Sequence, residues 1–189
     1  MNNNNILKGI FCIIIAGFGF ALMSLFVKLS GDLPSIQKGF FRNIIAVFIS
    51  SIPLIKHWRV INIPRNNTGW LVLISRSVFG TIGLVLNFYA ISHISLADSS
   101  IIQKLSPFII IILSYIFFKE EMTRFQVFSI IIAFIGITLI IKPSGNNIIS
   151  MGALAALLGA LCAGIAYTCV RYLGTHNISG EFIIFFFSS

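Results

Sequence analysis

Read from the amino terminus, the chain alternates long apolar stretches with short polar links. Six stretches, at 6–27, 36–55, 69–91, 99–118, 125–141 and 148–170, approach or exceed the length of about 20 apolar residues that carries a helix across a bilayer core. The links between them have turn chemistry: Gly31 and Pro34, then Pro64 with Asn66 and Asn67, a charged link at 119–124, and Pro143 with Gly145. Links this short make consecutive helices antiparallel. The pattern predicts an all-α, polytopic transmembrane bundle of about six spans, with a seventh apolar run opening at Phe182.

Small and polar residues recur at alternating three- and four-residue steps within these spans. The stripes are Gly9, Cys12, Ala16 and Gly19 on the first; Arg76, Gly80, Gly83 and Asn87 on the third; and Gln126, Ser129, Ala133 and Gly136 on the fifth. The sixth carries Gly152, Ala156, Gly159, Ala163 and Ala166. Lipid gives no hydrophobic drive for helix association, so close backbone approach at small residues has to supply it, and the stripes are expected to face inward. Taken singly, a small residue ordinarily marks no more than a packing seam.

Composition agrees with a bilayer as solvent. Hydrophobic residues make up 57% of the chain, charged residues 10%, and the mean hydropathy is +0.99; soluble domains are about a quarter charged. The net charge of +8 would suggest a nucleic-acid surface in a soluble protein, but the basic residues sit mostly at span ends, so no nucleic-acid partner is expected. With the N-terminus inside, Lys8, Lys56, Arg59, Arg65, Lys119, Arg124 and Arg171 fall on the inner side, against Lys28, Lys38 and Lys142 outside. That asymmetry predicts a cytoplasmic N-terminus in the inner membrane of the cell. The apolar run after Lys8 is too long for a cleaved signal peptide.

The first and sixth spans share spacing: Gly9, Ala16, Lys28 and Gly31 stand 143 residues before Gly152, Gly159, Arg171 and Gly174. Five helices, an odd number, separate the two sets, so a repeat there has inverted orientation, as in many secondary transporters. The segment from Arg76 to Pro143 is more specific. It holds an Arg and glycines early in the third span, FYA followed by LADSS, a Lys-Leu-Ser-Pro-Phe entry into the fourth span, a Phe-Lys-Glu-Glu exit, and a close from Gly136 to Pro143. These elements resemble the end of the first repeat in the EamA-like family of the drug/metabolite transporter superfamily, and weaker similarity extends over most of the chain. The resemblance implies ten helices in two inverted five-helix repeats, both termini cytoplasmic, and a substrate path between the repeats. It divides this chain at 147, with 1–147 as the first repeat and 148–189 as the start of a second. The run from Phe182 has eight residues before the chain stops, roughly 12 Å of helix against a core of about 30 Å. A fragment or a frameshifted form of a longer transporter is therefore the expectation.

Ionisable groups inside spans cost about 2.5 to 3.5 kcal/mol on insertion scales, so each is a candidate for function. Arg76 shares a face with Gly80, Gly83 and Asn87; it reads as a site group or as a cation snorkelling to the inner headgroups. Lys104, beside Gln103 and just before Ser106-Pro107, and Arg42 in the second span both lie toward the outer third. All three are partners for an anionic substrate or interfacial anchors, and Lys38 reads as an anchor. Asn43, Asn87, Gln103, Tyr89 and Tyr167 add hydrogen-bonding capacity and serve equally as helix glue. The substrate-path candidates are thus Arg42, Arg76, Asn87, Gln103 and Lys104, and the packing candidates Gly80, Gly83, Gly136, Gly152 and Gly159.

No carboxylate lies at mid-span: Asp32 and Asp98 are at outer ends, and Glu120, Glu121 and Glu181 in inner links. That disfavours exchange of a proton for a cationic drug on an embedded acid. His57, His93 and His176 are isolated at span ends, and Cys12, Cys162 and Cys169 have no ligand spacing, so neither a metal, a cofactor nor a proton relay is expected. With no nucleophile elbow or phosphate loop, an enzyme is not expected either. The expected function is secondary transport of a small polar metabolite; the competing one is a non-transporting remnant or an interaction subunit. Expected partners are the bilayer, the substrate, and another copy or the missing second half.

Overall fold

In lipid, backbone N–H and C=O groups have no water to bond, and a helix satisfies them within its own segment. The computed structural model of the chain follows that rule; it describes residues 3–56, 61–119, 121–141 and 151–189. Among these residues the elements are α1 (Asn3–Leu29), α2 (Ser35–Lys56), α3 (Asn67–His93), α4 (Leu96–Gln103), α5 (Ser106–Phe118), α6 (Arg124–Ile141), α7 (Met151–Thr175) and α8 (Gly180–Ser188), with no strand. Five segments are long and apolar enough to span a membrane: Gly9–Leu29, Ser35–Lys56, Asn67–His93, Leu96–Phe118 and Met151–Thr175; a shorter apolar helix covers Arg124–Gly136. The protein is an all-α, polytopic transmembrane bundle. The expected link at 142–147, the start of the sixth span at 148, and His57, Arg59 and Glu120 lie outside the described residues.

The fourth span, expected as one helix, is two. Pro107 has no N–H to give the Gln103 carbonyl, so the α-helical bond at that step cannot form. The Ser106 hydroxyl takes the proline's place, 2.9 Å from the Gln103 carbonyl oxygen, and Lys104 and Leu105 form a tight turn between α4 and α5.

The centre of the bundle is α3 against α7, the most extensive helix pair; α4 and α5 pack on α7, and α8 on α2 and α3. Gly83 and Gly159 let the two central backbones meet. A Cβ at Gly83 would stand 3.2 Å from the Gly159 carbonyl oxygen, and one at Gly159 would stand 3.3 Å from the Gly83 carbonyl oxygen. Ala90 and Ala156 are fully buried along the same interface, and Ala160 is fully buried against Leu105 and Ile109 on another side of α7. Gly152 approaches His93 and Ile94 as closely. By contrast, Gly136 on α6 and Gly9 and Gly19 on α1 have open space where a Cβ would stand, and these helices expose apolar side chains such as Phe11, Ile13, Phe128 and Leu139.

Lys38 departs from the expected anchor role. It is buried, and its ammonium donates to the Val27 carbonyl (3.2 Å), the Gly31 carbonyl (2.9 Å) and the Ser92 hydroxyl (3.0 Å). Lys28 donates to the Ile91 and Ile94 carbonyls at 2.7 and 2.8 Å. Both lysines thus bond carbonyls at helix C-termini, where partial negative charge favours a cation, and they tie together the ends of α1, α2 and α3. Gly31, at φ +61°, supplies the left-handed turn that ends α1 beneath Lys38. Replacing Lys38 with Met should lower the stability of detergent-purified protein by about 1.5–3 kcal/mol, the scale of hydrogen bonds from a charged group. Lys56→Met, at an exposed helix end, should leave the melting temperature unchanged; an anchor role for Lys38 would make the two variants alike.

Candidate functional site

Two adjoining cavities open beside α3. The smaller, of about 90 Å³, has Arg42, Arg76, Gly80, Asn87, Gln103 and Phe187 in its wall. The larger, of about 670 Å³, is lined by α1, α3, α4, α5 and α7 with Ser99, Gln103, Lys104 and Pro107 among its residues. Phe20, Asn87, Gln103 and Tyr167 belong to both, so the cavities adjoin in a seam beside α3 whose wall is mostly apolar with a few polar groups. All five path candidates line it, four in the smaller cavity and Lys104 in the larger.

The sequence placed Arg42 toward the outer third and Arg76 nearer the inner end. In the fold both guanidiniums meet on one aromatic ring: the Arg76 Cζ lies 4.2 Å from the Phe187 centroid and the Arg42 Cζ 5.4 Å. The negative face of the ring attracts each cation, an interaction of about 0.5–2 kcal/mol, but it carries no net charge to neutralise them. Arg42 Nη1 also donates to the Asn43 side-chain oxygen at 2.8 Å, whereas the Arg76 Nε is buried without a hydrogen-bond partner among the described residues. Gly80 makes room for this arrangement, since a Cβ there would collide with the Arg76 guanidinium and stand 2.6 Å from the Phe187 ring. The described carboxylates, Asp32, Asp98, Glu121 and Glu181, sit in links or first helical turns, and neither arginine forms an ion pair among the described residues.

Phe187 and Ser99 were missed from sequence. The run from Phe182 reads only as the opening of a seventh apolar stretch, yet α8 turns Phe187 inward to 9% exposure while Ile184 stays exposed. Ser99 entered as a span boundary and as part of the LADSS passage, not as a site residue, although it is 1% exposed on the wall of the larger cavity. The histidines serve locally: His93 Nδ1 lies 2.8 Å from the Tyr89 carbonyl and His176 Nδ1 2.9 Å from that of Tyr172. No cluster of metal-ligating side chains occurs among the described residues.

The EamA-like transporter family matches residues 7–142. The chain is 31% identical over 180 residues to the pseudopaline exporter CntI of Pseudomonas aeruginosa (strain PAO1 among others), covering 95% of this chain and 62% of that protein. It is 30% identical over 172 residues to an uncharacterized transporter of Helicobacter pylori (strain J99), covering 90% and 57% respectively. To mouse solute carrier family 35 member G1 it is 28% identical over 178 residues, covering 88% and 48%. The chain thus spans about three-fifths or less of the length of these relatives, which are transporters rather than enzymes. No solved structure matches it. With a family match across most of its length and a polytopic helical bundle as its fold, the chain belongs to the EamA-like transporter family of membrane proteins.

Proposed function

We infer that the protein is a secondary transporter, or a fragment of one, that moves a small polar anion along the seam beside α3. The observation that carries this reading is the convergence of Arg42 and Arg76 on Phe187 at a cavity wall within the spans, with no carboxylate among the described residues of that wall. Guanidiniums held there at the cost of desolvation have unspent capacity for a forked pair of bonds to a carboxylate or phosphate. Lys104 extends the positive character into the larger cavity. A division at 147 into a first repeat and the start of a second fits the path, because α7 then belongs to the second repeat and the seam runs between repeats. The relative named as an exporter favours outward movement across the cell's inner membrane. The excess of basic residues on one side favours a cytoplasmic N-terminus.

The test is accumulation of labelled anionic, neutral and cationic metabolites in vesicles carrying the protein. Anions should move fastest, and a preference for cations would overturn the reading; movement of none would favour the remnant or interaction subunit. In intact cells expressing a form whose only cysteine is at position 62, that cysteine should resist an impermeant thiol reagent, and its modification would reverse the orientation.

A further inference from the structure

The larger cavity carries polar chemistry that the arginine pair does not use. Among the described buried hydroxyls, Ser50, Ser106, Thr168 and Ser188 bond backbone carbonyls, and Ser114 accepts from Arg171. Ser99 is as deeply buried as any of them, and its hydroxyl has no hydrogen-bond partner among the described residues. One helical turn further along α4, the side-chain amide oxygen of Gln103 is buried and equally without one. The four-residue step puts both on one helix face, and both line the 670 Å³ cavity. Buried polar atoms are ordinarily paired, and an orphan pair on one face of a cavity marks a place where something else completes the bonds.

We propose that Ser99 and Gln103 form a hydrogen-bonding station for a neutral donor, a hydroxyl or an amide N–H, on the transported molecule. This rests on the anion reading above and narrows it to hydroxylated or amide-bearing anions. The amide oxygen of Gln103 only accepts, so its partner has to donate. Lys104, in the same wall, repels an ammonium, which leaves neutral donors. The station lies along the seam from the arginines: Arg76 reaches the level of Gly80, and Asn87, shared by both cavities, is seven residues or about 10 Å further along α3. A six-carbon acid covers that distance with its terminal oxygens.

Gluconate and hexanoate are six-carbon monocarboxylates that differ by five hydroxyls, one of them at the end opposite the carboxylate. Calorimetric titration of the purified protein should show gluconate binding about tenfold more tightly than hexanoate, the scale of two ordinary hydrogen bonds. In Ser99→Ala and in Gln103→Leu that ratio should fall toward one. Ser99→Ala should also keep the wild-type melting temperature, because its hydroxyl bonds nothing among the described residues; a marked drop would make Ser99 a structural group and overturn the station. If hexanoate binds as well as gluconate and Arg76→Gln weakens it, the anion reading stands and the station falls. A tenfold ratio that persists in both station variants also overturns it, and if neither acid binds, both readings fail together.

Discussion

Gly159→Leu should all but abolish the folded bundle, measured as monodisperse protein recovered in detergent and as its melting temperature. The Gly159 position faces backbone rather than side chains: a bare Cβ would already stand 3.3 Å from the Asn87 amide nitrogen and the Gly83 carbonyl oxygen. Backbone atoms in two packed helices cannot swing aside as the end of a flexible side chain can, and leucine adds three further carbons beyond the Cβ. Overpacking costs about 1–3 kcal/mol in soluble cores, and a site whose walls are main chain belongs at or beyond the top of that range. The loss falls on the α3–α7 pair that carries the bundle, where membrane helices depend on close approach for their association. Leu158→Ala, by contrast, truncates a side chain that is 44% exposed, and should cost under about 1 kcal/mol. Unchanged stability in Gly159→Leu together with collapse in Leu158→Ala would reverse the assignment of faces.

The helices themselves were legible because lipid enforces them: long apolar runs separated by Pro, Gly and Asn admit little else. Which helices approach was less so. The stripes on α1, α6 and α7 look alike in sequence, yet Gly152 and Gly159 on α7 meet a neighbour while Gly9, Gly19 and Gly136 meet none within the described chain. A small residue permits contact without naming its partner. The break before α5 was half visible, since Pro107 announced a freed carbonyl but not that Ser106 would take it. Lys38 was misread because its depth was counted along α2 alone, while the carbonyls that hold it come from the end of α1 and the turn beyond. Arg42 and Arg76 were legible as candidates but not as neighbours: they start from opposite ends of antiparallel helices, and in the fold both lie over the Phe187 ring on α8.

Arg76→Gln should reduce transport of an anionic substrate per protein molecule by about tenfold to a hundredfold, the scale of losing a charge-assisted hydrogen bond or two. The amount of protein in the membrane should change little, because burying an uncharged amide in place of a guanidinium relieves a desolvation cost. Arg42→Gln should have the smaller effect, since Arg42 lies farther from the shared ring and one of its donors is already engaged by Asn43. Gly80→Ala separates position from charge. The added methyl leaves Arg76 in place chemically but occupies the space of its guanidinium and crowds Phe187, so both have to move. If a fixed fork of donors recognises the anion, Gly80→Ala should lower normalised transport nearly as far as Arg76→Gln does, although the net charge is untouched. A diffuse positive field would tolerate the shift and lose activity only with the charge. A snorkelling anchor predicts neither outcome: membrane abundance would fall and transport per molecule would stay at the wild-type level in all three variants, a result that would remove Arg76 from the substrate path.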